Sequence, residues 1–268
     1  MSDVAAIAND AIAALSEGRQ ITPFSKRPGG FDQQAAFRVR PLLRKAFETR
    51  GETIVGRKIG FTNSRIWPDY GVDAPIWGYV TDRTLRALAT SPSLPLAQLA
   101  EPKIEPEIMF ELVAVPSPDM DDAALLDCVE WVALGYEVVQ SIYPNWKFTA
   151  ADIIAANTAH GALLVGERHA VAPRKQEWLR ELASFKIELL CNGQVMDRGE
   201  AANVLGGPLK VLGRVGEMLA QDKVNPSLAA GEIISTGTLT RALDVKPGET
   251  WTAKVSGIPL EPISLRFS

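Results

Sequence analysis

The sequence predicts an α+β fold: a mixed, mostly antiparallel β-core carrying an N-terminal helical arm. Three observations predict it. Helical periodicity dominates only the segment up to Arg50. From Thr53 onward, short runs rich in β-branched and aromatic residues alternate with Gly/Pro turns. Asn192-Gly193 joins two such runs, and that dipeptide is the strongest short-range hairpin signal a sequence offers. Segregated helices and strands are the signature of α+β layering.

The first helix is read from Val4, Ile7, Ala11 and Leu15, which recur at helical spacing after Ser2 and stop at Gly18. ITPFSKRPGG follows as a loop. A second helix is expected from Asp32 to Arg50, with Ala36, Phe37, Leu43 and Phe47 inward and a kink at Pro41. TIVGRKIGF reads as a strand and WPDYGVDAPIWG as a loop. KIEPEIMFELVAV is a strand, and DMDDAALLDCVEWV a short helix with Leu125, Cys128 or Val129, and Val132 inward. ALGYEVVQSI is a strand, TAADIIAANTA a short helix and GALLVG a short strand. FKIELLCNGQVM is the hairpin. GGPLKVLGRVGEMLAQ is a helix with Leu212, Val215 and Leu219 inward, and three strands close the chain. Residues 1–52 thus form the helical arm and 53–268 the β-rich core. No linker or repeat separates them, so 1–268 reads as one structural unit. A chain of 268 residues buries a sizeable core without staples.

Charge and hydropathy narrow the function classes. Twenty-eight basic against 32 acidic residues leave a net charge of −4, with no basic run of the kind a nucleic-acid groove needs. No apolar stretch reaches the ~18 residues of a membrane span. The start of the chain carries Asp3 and Asp10 where a secretory signal would be basic, and Cys128 and Cys191 lie far apart in apolar settings. The expectation is a cytoplasmic protein with reduced thiols. Neither a G-x-G-x-x-G nor a Walker loop is present, which argues against a nucleotide cofactor.

Candidate chemistry begins at Glu105-Pro106-Glu107. On a strand these two carboxylates face the same way, ~6.5–7 Å apart along the chain. Like charges that close need water or a cation between them. Two glutamates on the wet face of a half-buried strand is the plainer reading of the spacing alone. Pro106 has no N–H, which predicts an edge strand or a bulge. Glu137 sits in VALGYEVV, an otherwise apolar strand, where a bare charge costs several kcal/mol. Metal ligation and a buried ion pair with an arginine both answer that cost. Three carboxylates completed by water would suit Mg²⁺ or Mn²⁺ over zinc. Lys58, in GRKIGF, either neutralises an anion or moves a proton beside such a metal, or is a solvated strand lysine. Ser235-Thr236-Gly237-Thr238 offers hydroxyls and backbone N–H groups to a carboxylate, or is an ordinary turn. His160 and His169 lack a cysteine or second histidine at ligand spacing, and no Ser-His or Cys-His pattern is present. The tryptophans around Trp67 and Trp77 read as core packing.

Taken in order, VGRKIGFTN, YGVDAPIWG, KIEPEI, GYEVVQSI, NWKFTAADIIAANTAHGALLVG, GEIISTGTL and a PGE turn before a final LRF stretch resemble one family. It is the 2-keto-4-pentenoate hydratase and 4-oxalocrotonate decarboxylase family of the fumarylacetoacetate hydrolase superfamily. The resemblance spans nearly the whole chain. It implies a rolled or barrel-like sheet and Mg²⁺ or Mn²⁺ held by Glu105, Glu107 and Glu137. It implies Lys58 as the active-site lysine and Thr236 and Gly237 near the substrate carboxylate, with Lys147 and Asn157 as further substrate-binding positions. It also implies a small 2-oxo or 2-hydroxy acid substrate and a homo-oligomer, or a complex with a sister hydratase or decarboxylase. Two positions depart from the family: its aspartate after the proline of the G-V-x-x-P segment is Ile76 here, and its aspartate after E-x-V is Gln140. An apolar residue at 76 favours monocarboxylate substrates. The activity implied is hydration of a 2-hydroxy-2,4-dienoate to a 4-hydroxy-2-oxo acid. The alternatives are oxalocrotonate-type decarboxylation, then acylpyruvate-type C–C hydrolysis, then a non-catalytic partner subunit.

Overall fold

In the computed structural model, which describes residues 3–268, the Asp3 carboxylate accepts the backbone N–H groups of Ala5 and Ala6 and so starts helix α1, Val4–Glu17. Ser2, the start expected from sequence, lies outside the described residues. Gly18 ends α1 in the left-handed conformation, φ 59°, where its absent Cβ also lets the backbone of Gln98 approach. Asp32 caps α2, Gln33–Thr49, in the same way. Pro41 lies inside α2 without ending it. Phe37, expected inward, is 45% exposed. The buried stripe runs through Ala36, Val39, Arg40, Leu43 and Phe47, one position away, and the Arg40 guanidinium lies over the Phe37 ring.

The remaining elements follow in chain order. Strands β1 (Ile54–Gly60), β2 (Ile76–Thr81), β3 (Leu85–Ala87), β4 (Ser93–Leu94) and β5 (Lys103–Leu112) come first, with helix α3 (Trp67–Tyr70) between β1 and β2. The segment expected as a loop there therefore holds a helical turn and the start of β2. Helix α4, Asp122–Asp127, stops short of expectation. Val129 opens β6 (Val129–Val139), so Val132 is a strand residue. Then come α5 (Ala150–Ala155), β7 (His160–Val165), β8 (His169–Ala170) and α6 (Lys175–Glu181). The hairpin β9 (Lys186–Cys191) and β10 (Gln194–Glu200) turns at Asn192-Gly193, both at positive φ as a type I′ turn requires. Helix α7 (Pro208–Gln221) and strands β11 (Ile233–Ser235), β12 (Leu243–Asp244), β13 (Thr250–Ser256) and β14 (Ile263–Phe267) complete the chain. Both cysteines are free.

Nine strands form a curled half-barrel in the order β2-β1-β11-β5-β6-β7-β3, with β12 beside β5 and β8 beside β6. Its β1–β11 and β3–β7 pairs are parallel and the others antiparallel. A second sheet runs β10-β9-β13-β14-β4. Pro106 is not at an edge. β5 is central, flanked by β6 along its whole length. The carbonyls of Pro106 and Ile108 accept N–H groups from Leu239 and Thr236, in the gap between β11 and β12. Pro106 therefore turns its missing donor toward an interrupted ladder, and nothing is lost.

Side-chain alternation sorts the half-barrel into two faces. The pairings Lys58↔Gly78, Lys58↔Ser235, Glu105↔Glu137, Glu107↔Gly135 and Met109↔Ala133 put all these residues inside the curl. The inner face is divided along its length. One end is polar. The other is filled by Val80, Met109, Ala133, Leu163, Val165 and Ile233, a core cluster of its own. The outer face, with Ile104, Ile108, Phe110 and Ile234, belongs to the larger core that also takes in α1 and α2.

Candidate active site

The polar end of the curl collects the three glutamates. One oxygen from each of Glu105, Glu107 and Glu137 lies within 4.8 Å of the other two. Glu107 and Glu137 are fully buried, and Glu105 is half-buried against a cavity of about 530 Å³. Each carboxylate is held from behind. Glu107 Oε2 accepts the Ser235 hydroxyl at 2.5 Å and the Gly237 N–H at 2.8 Å. Glu137 pairs with Lys58 Nζ at 2.9 Å through Oε2 and with His160 Nδ1 at 2.9 Å through Oε1. The buried partner expected for Glu137 was an arginine; lysine and histidine take that place.

Burial drives the electrostatics. It pushes the Glu105 carboxyl up to about 7 against the pull of Lys58, with Glu137 adding to the rise. It pushes Glu107 well above the usual carboxylate range, and the nearby charges of Glu137 and Glu105 add to that. For Glu137, burial is outweighed by Lys58 and His160, so its carboxyl is held low. For Lys58, burial is outweighed by Glu137, Glu105 and Glu107, so the ammonium form is favoured. With one lysine facing them, the three carboxyl groups can all ionise here only if a further cation joins them. Glu107 Oε1 is buried with no hydrogen-bond partner among the described residues. An orphaned carboxylate oxygen in an all-oxygen donor set fits a hard divalent cation such as Mg²⁺ or Mn²⁺.

A strained turn presents Lys58 and His160 to this cluster. Asn157, Thr158 and Ala159 all have positive φ, at 51°, 54° and 59°. Non-glycine residues in that region cost about 1–3 kcal/mol each and gather at functional sites. The turn is pinned by Asn157, whose side chain exchanges two hydrogen bonds with the backbone of Tyr79 at 2.7 and 2.9 Å. Its reward is geometric: the Thr158 carbonyl accepts Lys58 Nζ at 3.0 Å, and His160 enters β7 beside Glu137 at a register shift.

The structure brings Glu105, Glu107, Glu137 and Lys58 together; Thr236, Gly237, Lys147 and Asn157 do not line the cavity themselves. Thr236 is buried and donates its hydroxyl to the Ile108 carbonyl, away from the cavity. The Gly237 N–H is committed to Glu107; Thr238 is the residue of that segment lining the cavity, with Leu239 and Thr240 just after it. Asn157 braces the turn, with Thr158 taking the cavity position. Lys147 is exposed, and its neighbours Trp146 and Phe148 line the cavity instead. Ile76 lines the cavity, whereas Asp73 and Asp82 are exposed. Gln140 ties Ala100, Leu15 and His160 together through their backbones. Sequence reasoning missed His160, because its partner is 23 residues away on another strand and no spacing rule connects them.

The cavity has two unlike walls. Phe61, Tyr70 and Phe148 form an aromatic arc, with ring centroids 4.6 and 5.9 Å apart. Opposite polarity comes from Arg65, Arg198 and Arg241 with Asp197. Arg198 and Arg241 are paired with Glu188 and Asp197, while Arg65 has no ion-pair partner among the described residues.

Known proteins resemble this chain in sequence and in fold. The chain is 29% identical over 264 residues to a 2-keto-4-pentenoate hydratase of Burkholderia vietnamiensis, covering 96% of this chain and 97% of the relative. It is 30% identical over 233 residues to a 4-oxalocrotonate decarboxylase of Pseudomonas putida, covering 87% and 84%. The solved structure of 4-oxalocrotonate decarboxylase from Pseudomonas putida G7, complexed with magnesium and adipate, superposes with a TM-score of 0.88 at 27% identity over 99% of this chain and 97% of that one. Residues 85–261 match the family model described as fumarylacetoacetate hydrolase C-terminal. That region contains all three clustered glutamates, and the chain belongs to the fumarylacetoacetate hydrolase C-terminal family.

Proposed function

We propose that the protein is a metal-dependent hydratase that adds water to a 2-hydroxy-2,4-dienoate to give a 4-hydroxy-2-oxo acid. The observation that carries this reading is the cluster of three inward carboxylates beside a buried ammonium, at the end of a cavity large enough for a small acid. Glu105, Glu107 and Glu137 would hold Mg²⁺ or Mn²⁺. A divalent cation there supplies Lewis-acid polarisation to the carboxylate and keto oxygens of a 2-oxo acid. Lys58 lines the cavity with its ammonium form favoured, so Nζ holds a proton ready for the dienol carbon. Ile76 and Thr158 flank it and keep bulk water from that side. Protonation at carbon followed by water addition yields the product.

A second reading, decarboxylation of an oxalocrotonate-type dicarboxylate, is favoured by Arg65, which lines the cavity with no ion-pair partner among the described residues and would meet a second carboxylate there. C–C hydrolysis needs a water-activating base in the cavity. The two histidines lie elsewhere, His160 behind Glu137 and His169 against the Trp178 ring. Assay of the Mg²⁺-loaded protein with 2-hydroxypenta-2,4-dienoate, 4-oxalocrotonate and an acylpyruvate separates these reactions. Loss of the dienoate chromophore with no CO₂ release is the expected result. CO₂ release from 4-oxalocrotonate at a higher kcat/KM would assign the decarboxylase, and turnover of the acylpyruvate alone would reject both lyase readings.

A further inference from the structure

We propose that His160 is a positioning residue of the metal centre, acting through Glu137, with Thr84 fixing which imidazole nitrogen carries the proton. The proposal rests on the metal-binding reading of the three glutamates and adds a residue to it. His160 is buried and makes two side-chain contacts of 2.9 Å, from Nδ1 to Glu137 Oε1 and from Nε2 to Thr84 Oγ1. It does not line the 530 Å³ cavity, and its side-chain contact with the glutamate cluster is to Glu137.

A carboxylate oxygen accepts, so the 2.9 Å contact runs from the Nδ1–H of His160 to Glu137 Oε1. Thr84 Oγ1 accepts the Thr81 N–H at 3.1 Å and has one proton to give. Its candidate acceptors are the Thr81 carbonyl at 3.2 Å and His160 Nε2 at 2.9 Å. In this proposal Thr84 donates along the shorter contact, to Nε2, and the imidazole keeps its proton on Nδ1, facing Glu137 Oε1. That oxygen is then occupied. Glu137 would then offer Oε2 to a cation, the oxygen that Lys58 Nζ also contacts at 2.9 Å. His160 thus converts a carboxylate free to bind through either or both oxygens into a single fixed donor. Partners behind a ligand commonly govern metal affinity in this way, and their loss typically costs about 10–100-fold. The local backbone is arranged for it: the turn at 157–159 and the β6–β7 register shift between Val138 and Val139 aim the ring at Glu137.

The chain has two histidines, His160 and His169, so ¹⁵N-histidine NMR of the full-length protein is assignable with a single His169→Gln variant. The expected spectrum shows His160 protonated on Nδ1 and bare on Nε2, with Mg²⁺ shifting the His160 nitrogens and leaving those of His169 in place. By calorimetry, His160→Leu should weaken Mg²⁺ binding about 10–100-fold. His160→Asn, whose amide nitrogen overlays Nδ1, should recover most of that loss. Thr84→Val, which removes the hydroxyl without disturbing Glu137 directly, carries the test if the leucine variant fails to fold, and it should weaken binding while shifting the tautomer. Unchanged affinity in these variants, or an asparagine variant no better than leucine, would overturn the proposal while leaving the metal reading intact. A wild-type protein that binds no Mg²⁺ would remove both.

Discussion

Lys58 and Glu107 answer different questions about the same cluster. Glu107 supplies the orphaned oxygen, so Glu107→Gln should weaken Mg²⁺ binding sharply while the fold persists, because Gln keeps the shape and an acceptor for Ser235 and Gly237. Equal calorimetric affinity in the two proteins would contradict the site. Lys58→Ala should lower kcat/KM at least ~100-fold, the lower range for a positioned proton donor, with metal affinity less affected. Ile76 faces Gly60 across β1 and β2, on the Lys58 side of the sheet. Ile76→Asp places a carboxylate next to Nζ and should raise hydration of 2-hydroxypenta-2,4-dienoate; steady-state kinetics with no gain would leave that position as a wall. Glu105, Glu107, Glu137 and Lys58 were legible as candidates because they lie in motifs that resemble the family's; their spacing alone left plainer readings open. His160, Thr84 and the role of Asn157 were not, since each owes its meaning to a partner in a distant segment.

Among the elements, the left-handed turn at 157–159 couples stability to the site. Asn157 satisfies the buried N–H and carbonyl of Tyr79. Asn157→Ala orphans both, at about 1–3 kcal/mol for a buried unsatisfied group, and releases the turn that holds Thr158 against Lys58. Thermal unfolding should report a lower Tm, and kinetics a raised KM. Gly78 makes the same junction possible: a Cβ there would lie 2.4 Å from the Asn157 carbonyl oxygen. The hairpin at Asn192-Gly193 and the helices capped by Asp3 and Asp32 could be read from sequence because caps and turns are local. Pro106 and Phe37 misled for one reason. Which strand is central, and which side of a helix meets the sheet, are decided by pairings that local patterns do not contain.

At the scale of the whole molecule, burying three carboxylates sets a pH dependence with a definite sign. The Glu105 carboxyl is raised from 4.5 to about 7 and Glu107 is raised with it. A raised carboxyl favours the folded protein below its ordinary value, and that contribution is lost as pH climbs through the folded value. Glu137 runs the other way, but it is one group against two. The metal-free protein should therefore lose stability between about pH 4.5 and pH 7 from this cluster. A cation restores what ionisation removed, so the rise in Tm on adding Mg²⁺ should be larger at about pH 8 than at about pH 6. Calorimetric scans at both values check it, and an equal rise would mean that the carboxylates are not the ligands. Helical arm against β-core was visible in the change of texture at Thr53. The curl that makes an inside at all was implied only by resemblance, because closure depends on strand order.

The apolar filling at the far end of the curl decides the traffic through the site. Val80, Met109, Ala133 and Leu163 pack the far end of the curl, and the Met109 thioether closes over Gly135 where a Cβ would meet it at 2.5 Å. With that end filled, ion and organic acid are expected to share the mouth of the 530 Å³ cavity, so that the ion enters before the acid and leaves after it. A bound acid becomes a stopper: saturating oxalate should slow the stripping of Mn²⁺ by a chelator, measured by stopped flow, even though it adds no ligand from the protein. Stripping at the same rate with and without oxalate would mean that a second exit exists.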